Sequence, residues 1–403
     1  MGENKNCKFD KQILALVGNG FDISMLEKLH WVKTRYDDFY NYLHDYHLDN
    51  IKDNKLYKEM NELKGKQEGK QEDKQEDKQE DKQKEMNWSD FENILQDKFK
   101  NVQNDTGGSK QASDRTDEWL NALNELTDIF YEFLNEVVGE KQLLSVRKLS
   151  KNGKLAKNSI ECFLKDLEKL KNQPLTIKNG DKFKFDFINF NYTMLLDNYM
   201  FLDLEQFNPH PYINGESNLD IADNINGYLY NYRNLIHHVN GNQYIRDSMV
   251  FGYTLQDYQY SEKKGKNVVM HKPFLGNYDV LYEDMIKNAN CIIIFGMSFG
   301  KTDSWWWNKI YERLKCKNDN CELIIYWYKN DDNVDDDNVI DNVIKKFLNI
   351  VWDNFNESEK DRFSKNEEDK KKIFSDEVKD KIHVYPFKNS EDHYFLGTNL
   401  EDN

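Results

Sequence analysis

The chain has 403 residues, a net charge of −16, and hydrophobic residues at 38% of its positions. This size allows a large buried core, arranged either as one α/β domain with insertions or as two domains. The negative charge argues against broad binding to nucleic acid phosphates or to an anionic membrane surface, but it permits a small nucleotide held at helix N-termini.

The five cysteines are scattered along the chain, without a C-x-x-C pair. This spacing predicts neither a disulfide framework nor a structural zinc site. The first residues lack the apolar stretch of a signal peptide, and no apolar run approaches the length of a membrane span. We therefore expect a cytoplasmic protein that needs neither a metal nor a membrane partner.

An apolar run at residues 13–17 predicts a first buried strand, which breaks into the sequence G-N-G-F-D at residues 18–22. A strand that ends in glycines before a helix brings backbone N–H groups close to a phosphate or ribose in many α/β proteins. Glycine at these positions permits positive φ and close approach of a ligand. Only two of the three glycines of the dinucleotide-binding fingerprint are present, so packing of the turn is an alternative explanation.

Helical patterns dominate the next part of the chain. The spacing of apolar residues predicts one helix over 22–47, a helix that begins at Trp88, a long amphipathic helix over 119–137 and another over 158–171. A loop is predicted at residues 107–109.

A K-Q-E-D repeat occupies the low-complexity segment 64–85, which contains no apolar residue and is predicted to be a flexible or frayed surface insert. We interpret residues 51–172 as a helical insertion. It separates the first strand and helix, in residues 1–50, from the remainder of the same domain, in residues 173–403.

Strands alternate with helices in the rest of the chain, which predicts a mostly parallel, Rossmann-like sheet with helices on both faces. The predicted strands cover residues 183–190, 235–239, 248–251, 291–295, 323–328 and 382–385. The predicted helices are a tryptophan-rich one that follows residue 303 and two more near 337–352 and 358–379.

Small and polar residues follow four of these strands, at the sheet edge where open α/β sheets bind ligands. In chain order these groups are Gly18, Asn19, Gly20 and Asp22; Asn191 and Thr193; His237, His238, Asn240 and Gly241; and Gly296, Ser298, Gly300, Thr302 and Asp303. Each group alone is explained by a turn, a helix cap or a buried histidine. Their occurrence at one edge predicts a ligand site.

Several of these motifs together resemble one family. The sequence G-N-G-F-D-I followed by L-H-W-V-K-T-R-Y-D-D-F looks like the N-terminal signature of the AbiH family of phage abortive-infection proteins, and W-S-D-F-E, F-N-Y-T, the His/Gly element and G-M-S-F-G-K-T-D follow in that family's order. The resemblance implies a bacterial anti-phage protein that is silent in healthy cells. We therefore expect an unknown phage trigger and a homo-oligomer.

The same blocks are more distantly similar to sirtuin-like NAD-binding domains. This similarity implies that Gly18, Asn19 and Gly20 line the phosphates and ribose of NAD, that Gly296 and Ser298 contact the adenosine side, and that Asn191 positions the ribose and the attacking water. The residues expected to contact the nucleotide are Gly18, Asn19, Gly20, Phe21, Asp22, Thr193, Asn240, Gly241, Gly296, Ser298 and Asp303.

One departure from the sirtuin-like pattern concerns the general base. That pattern has histidine directly before glycine, whereas here Asn240 precedes Gly241 in H-H-V-N-G. Because residues i and i+2 of a strand share a face, His238 is the predicted general base. The paired C-x-x-C zinc ribbon of sirtuin deacetylases is absent, which argues against protein deacetylation.

The resemblance implies a hydrolase for which NAD is the substrate, with Asn191 and His238 as catalytic residues and nicotinamide and ADP-ribose as products. Two alternatives stay open. One is a non-catalytic nucleotide sensor or scaffold, which Asn240 in the usual histidine position favours. The other is a different nucleotide-directed hydrolase, such as a metal-assisted nuclease built from Asp22, Glu92, Asp303 and His238, although the spacing of metal ligands is missing there.

Overall fold

The computed structural model describes most of the chain, in fifteen segments: residues 10–72, 88–104, 110–146, 149, 155–169, 175, 182–201, 221–225, 228–245, 248–251, 278–316, 321–329, 335–364, 366–388 and 395–397. The predicted loop at 107–109 lies outside the described residues.

The first half of the described chain is one strand followed by helices. Its elements are β1 (Lys11–Val17), α1 (Asn19–Lys28), α2 (Tyr36–Tyr46), α3 (Leu48–Ile51), α4 (Lys55–Glu72), α5 (Trp88–Asn104), α6 (Lys110–Val137), α7 (Glu140–Val146) and α8 (Leu155–Lys169).

Strands and helices alternate in the second half. Its elements are β2 (Lys182–Asn189), α9 (Leu195–Phe201), β3 (Ile221–Ile225), β4 (Tyr228–His238), α10 (Tyr278–Leu281), α11 (Glu283–Asn288), β5 (Cys291–Phe295), α12 (Ser304–Lys315), β6 (Glu322–Tyr328), α13 (Asp336–Asn354), α14 (Glu357–Lys360), α15 (Glu367–Asp376) and β7 (Ile382–Phe387), with short 3-10 turns at Lys301–Asp303 and Lys379–Lys381.

The strands form one sheet in the order β3-β4-β2-β1-β5-β6-β7. Six of them are mutually parallel, and β3 pairs antiparallel with β4 at one edge. This confirms the predicted mostly parallel, Rossmann-like α/β fold. The chain moves from β1 to β2 on one side and later crosses back to β5 on the other. The switch point, where such folds bind ligands, therefore lies between β1 and β5.

Both faces of the sheet are covered, as the sequence predicts. Alternate side chains of β1 point to opposite faces: Ile13, Ala15 and Val17 belong to one core cluster, and Leu14 and Leu16 to the other. The first cluster includes the buried faces of α2, α5 and α6, so the helices between β1 and β2 pack on that face. The second cluster includes those of α12 and α13.

The predicted single helix over 22–47 is wrong, because the structure has two helices separated by residues 29–35. Helix α1 ends where His30 adopts a left-handed φ of 56°. The N–H of Trp31 donates to the Leu26 carbonyl at 2.9 Å, and that of His30 donates to the Glu27 carbonyl at 3.0 Å. This pair of bonds is a Schellman ending, which satisfies the last carbonyls of the helix and turns the chain away.

Two other predicted elements also differ. Residues 248–251 form no strand, because the Val250 N–H donates to the Asn240 carbonyl at 2.9 Å in the loop beyond β4 and so joins no sheet ladder. The single helix predicted near 358–379 is two short helices, α14 and α15. The turn between them is closed by the Asn366 N–H, which donates to Ser364 Oγ at 3.0 Å.

The K-Q-E-D segment is predicted to be flexible or frayed from residue 64, yet α4 continues through its first repeats to Glu72. Residues 73–87 lie outside the described part. The division into residues 1–50, 51–172 and 173–403 stays a prediction. Among the helices that the structure describes, none combines the length and apolarity needed to cross a membrane.

Candidate functional site

A cavity of about 290 Å³ opens beyond the carboxyl ends of β1, β2, β4 and β5, at the switch point of the sheet. This volume is at the lower end of the range for small-ligand pockets. Ten of the residues predicted to form the site line the cavity: Gly18, Asn19, Gly20, Asp22, Asn191, Thr193, Asn240, Gly296, Ser298 and Asp303. Phe21, His238 and Gly241 are not among the lining residues.

The glycines allow two loops to lie directly against each other: the β1 loop, which follows β1 from Gly18, and the β5 loop, which follows β5 from Gly296. The N–H of Gly20 donates to the Gly296 carbonyl at 2.8 Å. A Cβ on Gly18 would lie 2.6 Å from Met297 Cγ, and one on Gly20 would lie 2.6 Å from Gly296 Cα. Gly18 has an ordinary φ of −108°, whereas Gly296 has φ +65°. The left-handed backbone is therefore in the second loop, and the glycines of the first loop allow the loops to touch.

Asn19 lines the cavity but uses its amide to hold the segment after α1. Its Nδ2 donates to the Thr34 carbonyl at 2.8 Å, and its Oδ1 accepts from the Thr34 hydroxyl at 2.6 Å. The adjacent Phe21 is fully buried in the core and packs edge-on against Tyr199 with ring centroids 5.5 Å apart. Phe21 thus anchors α1 beneath the site.

The loop after β2 contributes an amide and a hydroxyl. Asn191 Nδ2 donates to the Gly18 carbonyl at 3.2 Å, which joins the β2 loop to the β1 loop. The Thr193 hydroxyl donates to Asp22 Oδ2 at 2.6 Å and also accepts from the Leu195 N–H at 3.4 Å at the start of α9. Thr193 therefore contacts the first residue of α9 and orients a carboxylate of the cavity.

Asp22 is a buried carboxyl group of the cavity wall with a strongly raised pKa. Its side chain is 1% exposed, and its Oδ1 has no hydrogen-bond partner among the described residues. Burial raises its pKa to about 7, opposed by the Thr193 hydrogen bond and by the nearby His238, and reinforced by the charge of Asp197. A carboxyl that titrates near neutrality in a cavity is suited to proton transfer.

His238 and Asn240 do not share a face. Strand β4 ends at His238, and Asn240 lies in the following turn, so the strand alternation stops between them. Asn240 lines the cavity and donates from Nδ2 to the Phe190 carbonyl at 3.0 Å. His238 Nε2 lies 2.9 Å from Asp197 Oδ2, outside the cavity wall. Gly241 shapes the turn with φ +79°.

The helices between β1 and β2 supply the opposite wall, which the strand ends alone do not predict. The lining residues that the sequence did not place in the site are Ile23, Thr34, Trp88, Phe130, Leu134, Phe190, Tyr192, Phe251 and Met297. The rings of Phe130 and Phe251 lie 5.3 Å apart, and Trp88 Nε1 donates to the Thr34 carbonyl at 3.0 Å. A helical apolar stripe predicts burial but does not separate core contacts from cavity contacts.

Glu92 lies in this wall and links it to the β5 loop. The Thr302 hydroxyl donates to Glu92 Oε2 at 2.6 Å, and both residues are buried. Asp22, Glu92 and Asp303 give the cavity three carboxyl groups, and no Lys, Arg or His is among the described residues that line it. In the described ranges, no three His, Cys, Asp or Glu side chains form a group able to hold a metal ion.

Replacing Thr302 with valine should destabilise the protein by about 2 kcal/mol, because Glu92 Oε2 loses a buried donor. Urea unfolding measures this change. The matched control is Thr127→Val, which should cost a few tenths of a kcal/mol, because among the described residues the Thr127 hydroxyl bonds only to the Leu123 carbonyl of its own helix, at 2.8 Å. Equal losses in the two variants would contradict a link between α5 and the β5 loop.

Comparison with protein families gives a match over residues 14–327, and the matching family is described as bacteriophage abortive infection AbiH. A comparison with curated proteins gives no significant match. The matched range begins within β1 and ends within β6, and it includes all of the residues that line the cavity. The chain therefore belongs to the AbiH family of bacteriophage abortive-infection proteins.

Proposed function

We propose that this abortive-infection protein acts by hydrolysing NAD to nicotinamide and ADP-ribose. One observation carries the proposal: the lining of the cavity at the switch point combines carboxyl and amide groups with several aromatic side chains. Carboxylates and amides suit the hydroxyl groups of a ribose, and aromatic rings suit the flat face of a base or a nicotinamide ring.

The charge of the cavity favours the nicotinamide end of the molecule. Asp22, Glu92 and Asp303 line it, and none of the described lining residues is basic. Such a wall repels phosphates and attracts the positive charge of an oxidised nicotinamide ring. The volume of about 290 Å³ also suits one nucleoside better than a whole dinucleotide. In this arrangement the phosphates lie outside the cavity, so Gly18, Asn19 and Gly20 contact the ribose rather than the phosphates that the sirtuin-like similarity implies for them.

The chemistry requires few protein groups. The bond between ribose C1′ and the nicotinamide nitrogen breaks, and its electron pair neutralises the leaving ring. The positive charge that develops on the ribose is stabilised by a nearby carboxylate, and water then attacks C1′ and loses a proton. Asn191 at the cavity wall is the proposed residue that orients the ribose and the water.

The test is the NAD content of cells that express the protein, measured before and after phage challenge, together with cleavage of NAD by the purified protein. Asn191→Ala should abolish the loss of NAD, since it removes the amide from the cavity. The matched control is Asn290→Ala. Asn290 accepts a hydrogen bond from the Gln12 N–H at 2.9 Å, at the start of β1 and β5, and this change should leave NAD loss intact.

Unchanged NAD in cells that still abort infection would overturn the proposal. Binding of a nucleotide without turnover would then indicate a sensor, and activity that depends on an added divalent metal would indicate another nucleotide-directed hydrolase. Equal effects of Asn191→Ala and Asn290→Ala would show that the cavity is not the site of NAD cleavage.

A further inference from the structure

We infer that Asp22, not His238, accepts the proton of the attacking water, while His238 and Asp197 act on the reaction only through Asp22. This inference rests on the proposed hydrolysis of NAD and names the residue that serves it as a base. The structure separates the two residues clearly: Asp22 lies in the cavity wall, and His238 lies outside it.

The position of Asp22 suits this role. Oδ2 is held by the Thr193 hydroxyl at 2.6 Å, which orients the carboxyl group, whereas Oδ1 accepts no hydrogen bond from any described residue. A buried polar atom without a partner is rare and calls for an explanation. Oδ1 is closed to solvent in this structure, so a substrate water or hydroxyl that supplies the missing hydrogen bond reaches it when the surrounding side chains shift on binding.

His238 is placed to act indirectly. Its Nε2 lies 2.9 Å from Oδ2 of Asp197. Asp197 belongs to helix α9, which begins at Leu195, close to Thr193. The charged groups that act on Asp22 are therefore His238 at the end of β4, which lowers its pKa, and Asp197 on α9, which raises it. His238 and Asp197 are positioning residues in this scheme.

The proton and electron balance is complete with these groups. The bond from C1′ of the ribose to the nicotinamide nitrogen breaks, and water then forms a bond to C1′. The electron pair of the broken bond stays on nicotinamide, which leaves as a neutral ring. The proton of the water passes to the ionised Asp22 carboxylate and later to solvent. The step needs no further co-reactant.

The pH dependence gives the sharpest test, because Asp22 accepts a proton only when it is ionised. With a pKa of about 7, cleavage of NAD by the wild-type protein should rise with pH through neutrality and then level off. Asp22→Asn should lower kcat by about 10²–10³-fold, change KM little, and remove this rise. Asp22→Asn should still bind NAD, as measured by calorimetry.

His238→Gln is the companion variant. Loss of the imidazole removes a charge that lowers the pKa of Asp22, so the rise of rate with pH should move to higher pH while most of the plateau rate remains. The opposite pattern, in which His238→Gln removes the rise and Asp22→Asn keeps it, would overturn the inference and assign the base to His238. A wild-type protein that does not cleave NAD would instead overturn the proposed function itself.

Discussion

Replacing Asp22 with asparagine is expected to stabilise the fold, and by more at alkaline than at acidic pH. The pKa of Asp22 rises from its ordinary value of 3.8 to about 7 in the folded protein, chiefly because the side chain is buried. The folded state therefore holds this proton more tightly than the unfolded state. The wild-type protein accordingly loses stability as pH rises from about 4 to about 7, and the loss is constant above that range.

The expected size follows from the shift in pKa. Between pH 5 and pH 8 the wild-type protein should lose about 3 kcal/mol of unfolding free energy as Asp22 ionises. About two pH units of this range lie below the folded-state pKa of about 7, and each unit contributes about 1.4 kcal/mol. Asparagine does not titrate, so the gain in unfolding free energy of Asp22→Asn over wild type should be about 3 kcal/mol larger at pH 8 than at pH 5. Urea unfolding at both pH values measures it.

The matched control is Asp49→Asn, because the Asp49 side chain is fully exposed at 101%. Its effect on unfolding free energy should be small at both pH values. A gain from Asp22→Asn that is the same at pH 5 and pH 8 would show that the carboxyl is ionised normally in the fold. If Asp22→Asn also lowers the rate of NAD cleavage, the two results together would show that the wild-type protein keeps a functional carboxyl group that makes its fold less stable.

Gly296→Ala should lower the unfolding free energy by about 3 kcal/mol. It should also distort the shape of the site. The residue has φ +65°, where an alanine side chain is strained, and its Cβ would lie 2.7 Å from the Phe21 backbone nitrogen. The atoms that the new Cβ meets are backbone atoms, so no side-chain rotation relieves the contact. The β1 and β5 loops must move apart at the cavity.

Gly65→Ala is the control for this variant. Gly65 lies inside helix α4, and in the described chain a Cβ added there would meet no atom within 4 Å beyond its chain neighbours and its own helix backbone. Alanine should therefore stabilise the helix by about 0.5–1 kcal/mol. Thermal and urea unfolding of both variants compare the two effects. A neutral Gly296→Ala would mean that the two loops are not in contact in solution.

The fold class could be predicted from local sequence. Buried strands such as β1 and β5 are runs of consecutive apolar residues, which follow from a sheet covered on both faces. Turn chemistry was harder to predict, because the Schellman ending at His30 uses a residue that tolerates positive φ less readily than glycine. The apolar spacing continues across that turn, so it indicated one helix where there are two.

About half of the site could likewise be predicted. Residues that follow parallel strands, such as Asn191 and Ser298, reach the same sheet edge in any fold of this kind, and they line the cavity. The alternation of side chains along a strand put His238 on the same face as Asn240, which is wrong. That alternation holds only while the strand continues, and β4 ends at His238.

The sequence by itself indicated the six parallel strands and the polar residues that follow several of them, because a buried strand is a local apolar run and strands that alternate with helices are typical of a parallel sheet. It also predicted a strand at 248–251 that the structure lacks, and it did not predict β3. Only the tertiary structure decided which helical residues complete the cavity, since Glu92 meets Thr302 across 210 positions of sequence. It also decided that Asp22 is buried with one oxygen unpartnered within the described chain. Burial and pKa depend on how separate elements pack together, and no local pattern encodes that packing.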